Sequence, residues 1–130
     1  MSATTYKDVL MSFKGLPSSK YQLPDELLYQ WFLDALATYE LELYSLNFNP
    51  ETMTFQDTLK QYQIKTLSTI MYTYYLTKEL SRLEKLQGIS TKSISLSGND
   101  TSKRVTFQDL ELHKAEVDRL LNKQKRSCNS

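Results

Sequence analysis

The sequence predicts a mainly α-helical fold: a small bundle of about four helices with a β-hairpin or extended loop before the last helix. Three observations predict it. The 130 residues include only 3 Gly and 3 Pro, too few for the many tight turns of a sandwich or barrel. Apolar residues recur at helical three- and four-residue steps through most of the chain. One stretch, Ile89 to Ser97, instead alternates polar and apolar residues and runs into a Gly98-Asn99-Asp100 turn signal. The length fits one domain, expected over 1–126, with a disordered tail at 127–130. Hydrophobic residues make up 40% and charged residues 24%, so the chain can bury a core and lacks the signature of disorder.

The first helix is expected to start at Thr5, which with Asp8 has the spacing of a capping box. Tyr6, Val9, Leu10 and Phe13 then form one apolar face, and Gly15 and Pro17 stop it. Ser18, Ser19 and Lys20 make a short polar connection. The second helix opens at Pro24, where a missing N–H costs little, with Asp25 and Glu26 at the positive end of the dipole. Leu27, Leu28, Trp31, Phe32, Ala35, Leu36, Tyr39 and Leu43 form a wide apolar stripe that calls for more than one neighbour. The helix is expected to end near Leu46, followed by a loop over Asn47, Phe48, Asn49 and Pro50.

Thr54 and Asp57 repeat the cap spacing, and a third helical pattern runs from Phe55 to about Gln87. Its apolar line includes Leu59, Tyr62, Leu67, Ile70, Met71, Tyr74, Tyr75, Leu80, Leu83 and Leu86. The pattern fits one long helix or two joined near Tyr75–Lys78, and the lack of an internal Pro or Gly favours one. Gly88 ends it. Over 89–105, Lys103, Arg104 and Val105 can return as a second strand after the turn, giving a hairpin or a mobile loop. A lone two-stranded ribbon is marginal by itself, so it should need a partner. Thr106 and Asp109 mark the start of a last helix with Leu110, Val117, Leu120 and Leu121 on a narrow face, fading into a polar tail from Asn122.

Several function classes are disfavoured. Cys128 is the only cysteine and His113 the only histidine, so an internal disulfide, a Cys-rich zinc site and paired-His chemistry are excluded. The glycines are isolated and build no phosphate loop. Asp25/Glu26 and Glu40/Glu42 sit where dipole and solubility explain them. No catalytic, metal or cofactor site is therefore expected, and the chain does not read as an enzyme. It shows neither a secretory signal nor a membrane-length apolar run, so an intracellular, soluble protein is expected.

The net charge of +1 conceals an asymmetry. Residues 1–59 carry three lysines against eight acids, a net of −5, and residues 60–130 carry thirteen bases against seven acids, a net of +6. All nine Tyr, the Trp and four of the five Phe lie at or before Tyr75. The first 75 residues therefore read as a packed body, and the remainder as a more solvated, basic portion. The cluster Tyr72, Tyr74, Tyr75 suits core and interface packing. Lys123, Lys125 and Arg126, and the smaller pair Lys103 and Arg104, can reach phosphates. A small helical DNA-binding or regulatory protein is therefore the alternative reading, although the last helix mixes both charge signs.

The order of elements resembles a known family. The residues that carry the resemblance are Tyr6-Lys7-Asp8-Val9 with Phe13, and Asp25-Glu26-Leu27-Leu28 with Leu33, Ala35 and Leu36. Phe55 and Leu59 follow, then Leu67 and Met71-Tyr72-Thr73-Tyr74-Tyr75-Leu76, and last Leu110-Glu111-Leu112 with Glu116 and Leu120. This pattern resembles the head–tail connector (adaptor, or head-completion) proteins of tailed phages and prophages of Gram-positive bacteria. The resemblance implies a virion neck protein, assembled in the host cytoplasm as a ring, usually of twelve subunits, beneath the portal. It implies as partners the portal protein, neighbouring copies and the next connector or tail-completion protein, with non-specific contact to genomic DNA in the channel and no membrane. On this reading Leu120, Leu121, Lys123, Lys125 and Arg126 are expected to dock on the portal. Ile94, Leu96, Lys103, Arg104 and Val105 are expected to pair between subunits, because an exposed strand edge recruits another chain. A −5 half meeting a +6 half would favour head-to-tail contact.

Overall fold

Four helices and one short hairpin make up the chain in a computed structural model. The structure describes residues 3–16, 23–89 and 97–129, and their side chains except those of 84–89, 97–102 and 126–129. The elements are α1 (Tyr6–Lys14), α2 (Asp25–Glu42), β1 (Phe48–Asn49), β2 (Thr54–Phe55), α3 (Gln61–Ile89) and α4 (Ser97–Asn129). Helix α3 is the spine, and α1, α2 and α4 all pack on it.

The start of α1 follows its sequence signal. The Thr5 hydroxyl accepts from the Asp8 amide, and the Asp8 carboxylate accepts from the Thr5 amide, at 3.3 and 2.9 Å. Val9 and Phe13 are buried, and Gly15 caps the end. Helix α2 opens after Pro24, with Asp25 and Glu26 in its first turn. It stops at Glu42 rather than near Leu46. The Glu40 carboxylate accepts from the Leu46 amide at 2.9 Å and from the Ser45 hydroxyl at 3.2 Å, which turns the chain back over the helix end.

The hairpin lies between α2 and α3, not before the last helix. Phe48 pairs with Phe55 and Asn49 with Thr54. The turn is closed by the Met53 amide donating to the Asn49 carbonyl at 2.8 Å, with Met53 in the left-handed region. The residues leading into α1 extend the ribbon: Thr5 bridges Thr54, and the Phe55 amide donates to the Thr4 carbonyl at 2.8 Å. Phe48 and Phe55 stand 4.9 and 6.0 Å from the fully buried Phe32, centroid to centroid, and Tyr6 closes the cluster at 4.9 Å. That aromatic packing supports a ribbon too short to stand alone. Thr54 is thus a strand residue rather than a helix cap, and α3 begins six residues after Phe55.

Helix α3 is continuous through Tyr75–Lys78. From Thr66 to Leu76 it is buried on nearly every side, because three helices cover it. Its small polar residues satisfy themselves: the hydroxyls of Thr66, Thr69 and Thr73 donate to the carbonyls of Tyr62, Lys65 and Ile70 at 2.6 to 2.7 Å. Backbone-bonded hydroxyls of this kind let neighbouring helices approach without unpaired polar groups.

Helix α4 corrects the expected ribbon. Gly98, Asn99 and Asp100 lie in its first turn, and Lys103, Arg104 and Val105 are helical rather than a returning strand. The helix starts nine residues before Thr106 and packs on α3. It continues through Asn129. The expected polar connection at 18–20 and the strand residues Ile94 and Leu96 lie outside the described residues.

Candidate functional site

Leu120 and Leu121, expected on a docking surface, are instead buried in the bundle, as are Leu110 and Val117 on the same face of α4. The face continues into Gln124, which is also buried. Gln124 sits at the junction of three helices: its amide nitrogen donates to the Thr66 hydroxyl at 2.9 Å and to the Leu120 carbonyl at 3.0 Å, and its amide oxygen accepts from the Tyr39 hydroxyl. Burial pushes the Tyr39 phenol well above its ordinary value, with Tyr44 adding to the shift. Gln124 was missed as a structural residue, yet it falls three and four residues after Leu121 and Leu120 and so extends their stripe.

The cations beyond this network divide. Lys125 reaches across to Glu42 at 2.5 Å. That contact offsets the acidic end of α2, which has Glu40 and Glu42 near its negative dipole end and no base in its last turn. Lys123 remains exposed beside Tyr62, Leu120 and Gln124, where a shallow concavity of about 240 Å³ opens. The Arg126 side chain lies outside the described residues. The C-terminal set is therefore not a free segment, since its apolar members hold α4 in place.

The subunit-pairing set also changes character. Arg104 and Val105 are exposed on α4, and Lys103 is half-buried. Val105 and Leu112, seven residues apart on one line of α4, are left in water at 58 and 68% exposure, and Phe107, on another flank, is 50% exposed. The opposite side of the same stretch meets α3. There the Tyr72 hydroxyl donates to one Asp109 oxygen at 3.4 Å, and His113 Nδ1 lies 3.0 Å from the other and 2.8 Å from the Asp109 carbonyl. The His113 and Tyr72 rings meet edge to face at 4.7 Å. Burial and the Asp109 carboxylate push the Tyr72 phenol up to about 12. This cluster has the donors and acceptors of an interhelical lock between α3 and α4. Nearby, Arg119 donates to Glu116 and holds its carboxyl below the usual range.

A larger open concavity of about 630 Å³ lies between α1, the start of α2 and the hairpin turn. Tyr6, Leu10, Tyr29 and Met53 line its walls, and Asp25, Glu26 and Lys7 stand at its rim. Burial, with Asp25 close by, raises the Tyr6 phenol. Among the described residues no group of three or more His, Cys, Asp or Glu gathers as a metal site, and no helix is long and apolar enough to cross a membrane. Comparison of the chain with protein-family models, curated proteins and solved structures finds no match in any of the three.

Proposed function

We propose that the chain is the structural subunit of a phage neck, an adaptor rather than an enzyme. Copies assemble as a ring under the portal, complete the head, hold the packaged genome and join head to tail. The observation that carries this reading is the uncovered apolar line of Val105 and Leu112 on the exposed side of α4. Large apolar side chains gathered on one surface mark a place where another protein sits. The segregation of charge, −5 before residue 60 and +6 after it, supports head-to-tail contact between copies. Lys123, exposed at the far end of α4, is the docking cation this reading retains. Leu120 and Leu121 act through the fold.

The experiment is to mix the purified chain with a tailed-phage portal protein from the same genome and image the product in negative stain. A ring stacked on the portal is expected. Portal particles without added density would refute the proposal, and sequence-selective DNA retention that survives moderate salt would favour the regulatory alternative.

A further inference from the structure

We propose that the concavity between α1, α2 and the hairpin turn receives the outer face of α4, residues 104–112, from a second copy of this chain. The proposal rests on the ring reading and names its contact. Val105 and Leu112 are seven residues apart and so lie on one line of the helix, the spacing by which a helix seats itself in a groove. Both are exposed, at 58 and 68%. Arg104 lies beside that line, with Phe107 and Glu111 on its far flank. The concavity offers matching chemistry: apolar and aromatic walls, an acidic rim of Asp25 and Glu26, and one cation, Lys7. Asp25 and Glu26 are exposed. Arg104 is the counterpart of the two acids, and Glu111 the counterpart of Lys7, so both charge signs are matched across the contact.

The two surfaces sit at different levels of the bundle. The concavity is at the hairpin, where the Leu59 amide donates to the Thr4 hydroxyl at 2.8 Å, just before α3 begins. Residues 104–112 of α4 lie further along α3, near its middle, where Tyr72 meets Asp109 and His113. Each copy therefore presents both a groove and a helix face, and the contact repeats from copy to copy, as a head-to-tail interface requires.

Site-directed cross-linking of the full chain tests this, with Cys128→Ser throughout. One preparation carries Thr52→Cys at the groove and another Val105→Cys on α4. Labelling with a monofunctional maleimide confirms equal reactivity, and circular dichroism confirms equal helicity. A short bismaleimide should join the two preparations into a mixed dimer, with far less product from either alone. Arg104→Glu on the Val105→Cys copy should cut the yield about tenfold, as expected for reversing an interfacial charge. Glu26→Lys on the Thr52→Cys copy should restore it. No excess of mixed over single-preparation product, or no response to Arg104→Glu, overturns the contact. Imaging the same samples with the portal protein separates the two claims. A ring without this cross-link refutes the groove and leaves the neck subunit standing, whereas the cross-link without a ring refutes the neck subunit and leaves the groove.

Discussion

Replacing Gln124 by Leu should destabilise the protein because of what it leaves behind. The side chain is buried, with its amide nitrogen and oxygen both engaged. Thr66 keeps its bond to the Tyr62 carbonyl after the change, and the Leu120 carbonyl is a helix carbonyl. The Tyr39 hydroxyl, on a fully buried ring, loses the acceptor it donates to. A buried donor left unpaired costs about 1–3 kcal/mol, so we expect a loss of about 2 kcal/mol, a fall in Tm of roughly 6–10 °C for a chain of this size. Tyr39→Phe leaves the Gln124 oxygen unpaired instead and should cost about 1–2 kcal/mol. The double variant removes both polar groups and should lie within about 1 kcal/mol of the starting protein, a coupling of roughly 2 kcal/mol in the cycle. Urea unfolding followed by circular dichroism, with unchanged m-values, reads all four corners. Penalties that simply add, or a Gln124→Leu protein within about 0.5 kcal/mol of the original, would refute a network that ties α4 to α2 and α3.

Three further outcomes follow from the same packing. Tyr72 is held neutral up to about 12, against 10.0 for a free phenol. Unfolded chains therefore ionise first as pH rises, and stability present below pH 10 should fall until about pH 12. Tyr72→Phe should flatten part of that slope in urea titrations at stepped pH. Thr5→Ala removes the side-chain half of the α1 capping box and should cost about 1 kcal/mol in the same unfolding assay. Leu120→Ala should cost about 2–4 kcal/mol, as a core truncation does, while portal binding per folded molecule stays unchanged in a pull-down.

Local chemistry made much of the helical frame legible. The Thr5 and Asp8 spacing became a capping box with both bonds formed. The wide stripe of α2 is wide because its ends meet different neighbours: Phe32 faces the hairpin aromatics, and Tyr39 faces α4. The absence of Pro and Gly kept α3 whole through Tyr75–Lys78. The hairpin was misplaced for a physical reason. Strands of two residues cannot show alternation, and their support comes from Phe32, Tyr6 and Thr4, distant in sequence. Conversely, Gly98-Asn99-Asp100 reads locally as a turn, but in the fold it belongs to the first turn of α4, a helix that packs on α3. Leu120 and Leu121, expected on a docking surface, lie in the core of the single chain. They form a narrow stripe that suits either a partner or the protein's own core, and only the arrival of Thr66 and Tyr39 beside Gln124 decides for the core. Val105 and Leu112 were hidden in sequence by the charges around them.

The most direct test of the central claim, a ring-forming neck subunit, is native mass spectrometry of the full chain with its portal protein. One dominant species is expected, exceeding the bare portal by a fixed multiple of 15.2 kDa matched to the portal's symmetry. A bare portal beside free monomer, or a smear of unrelated stoichiometries, would contradict it.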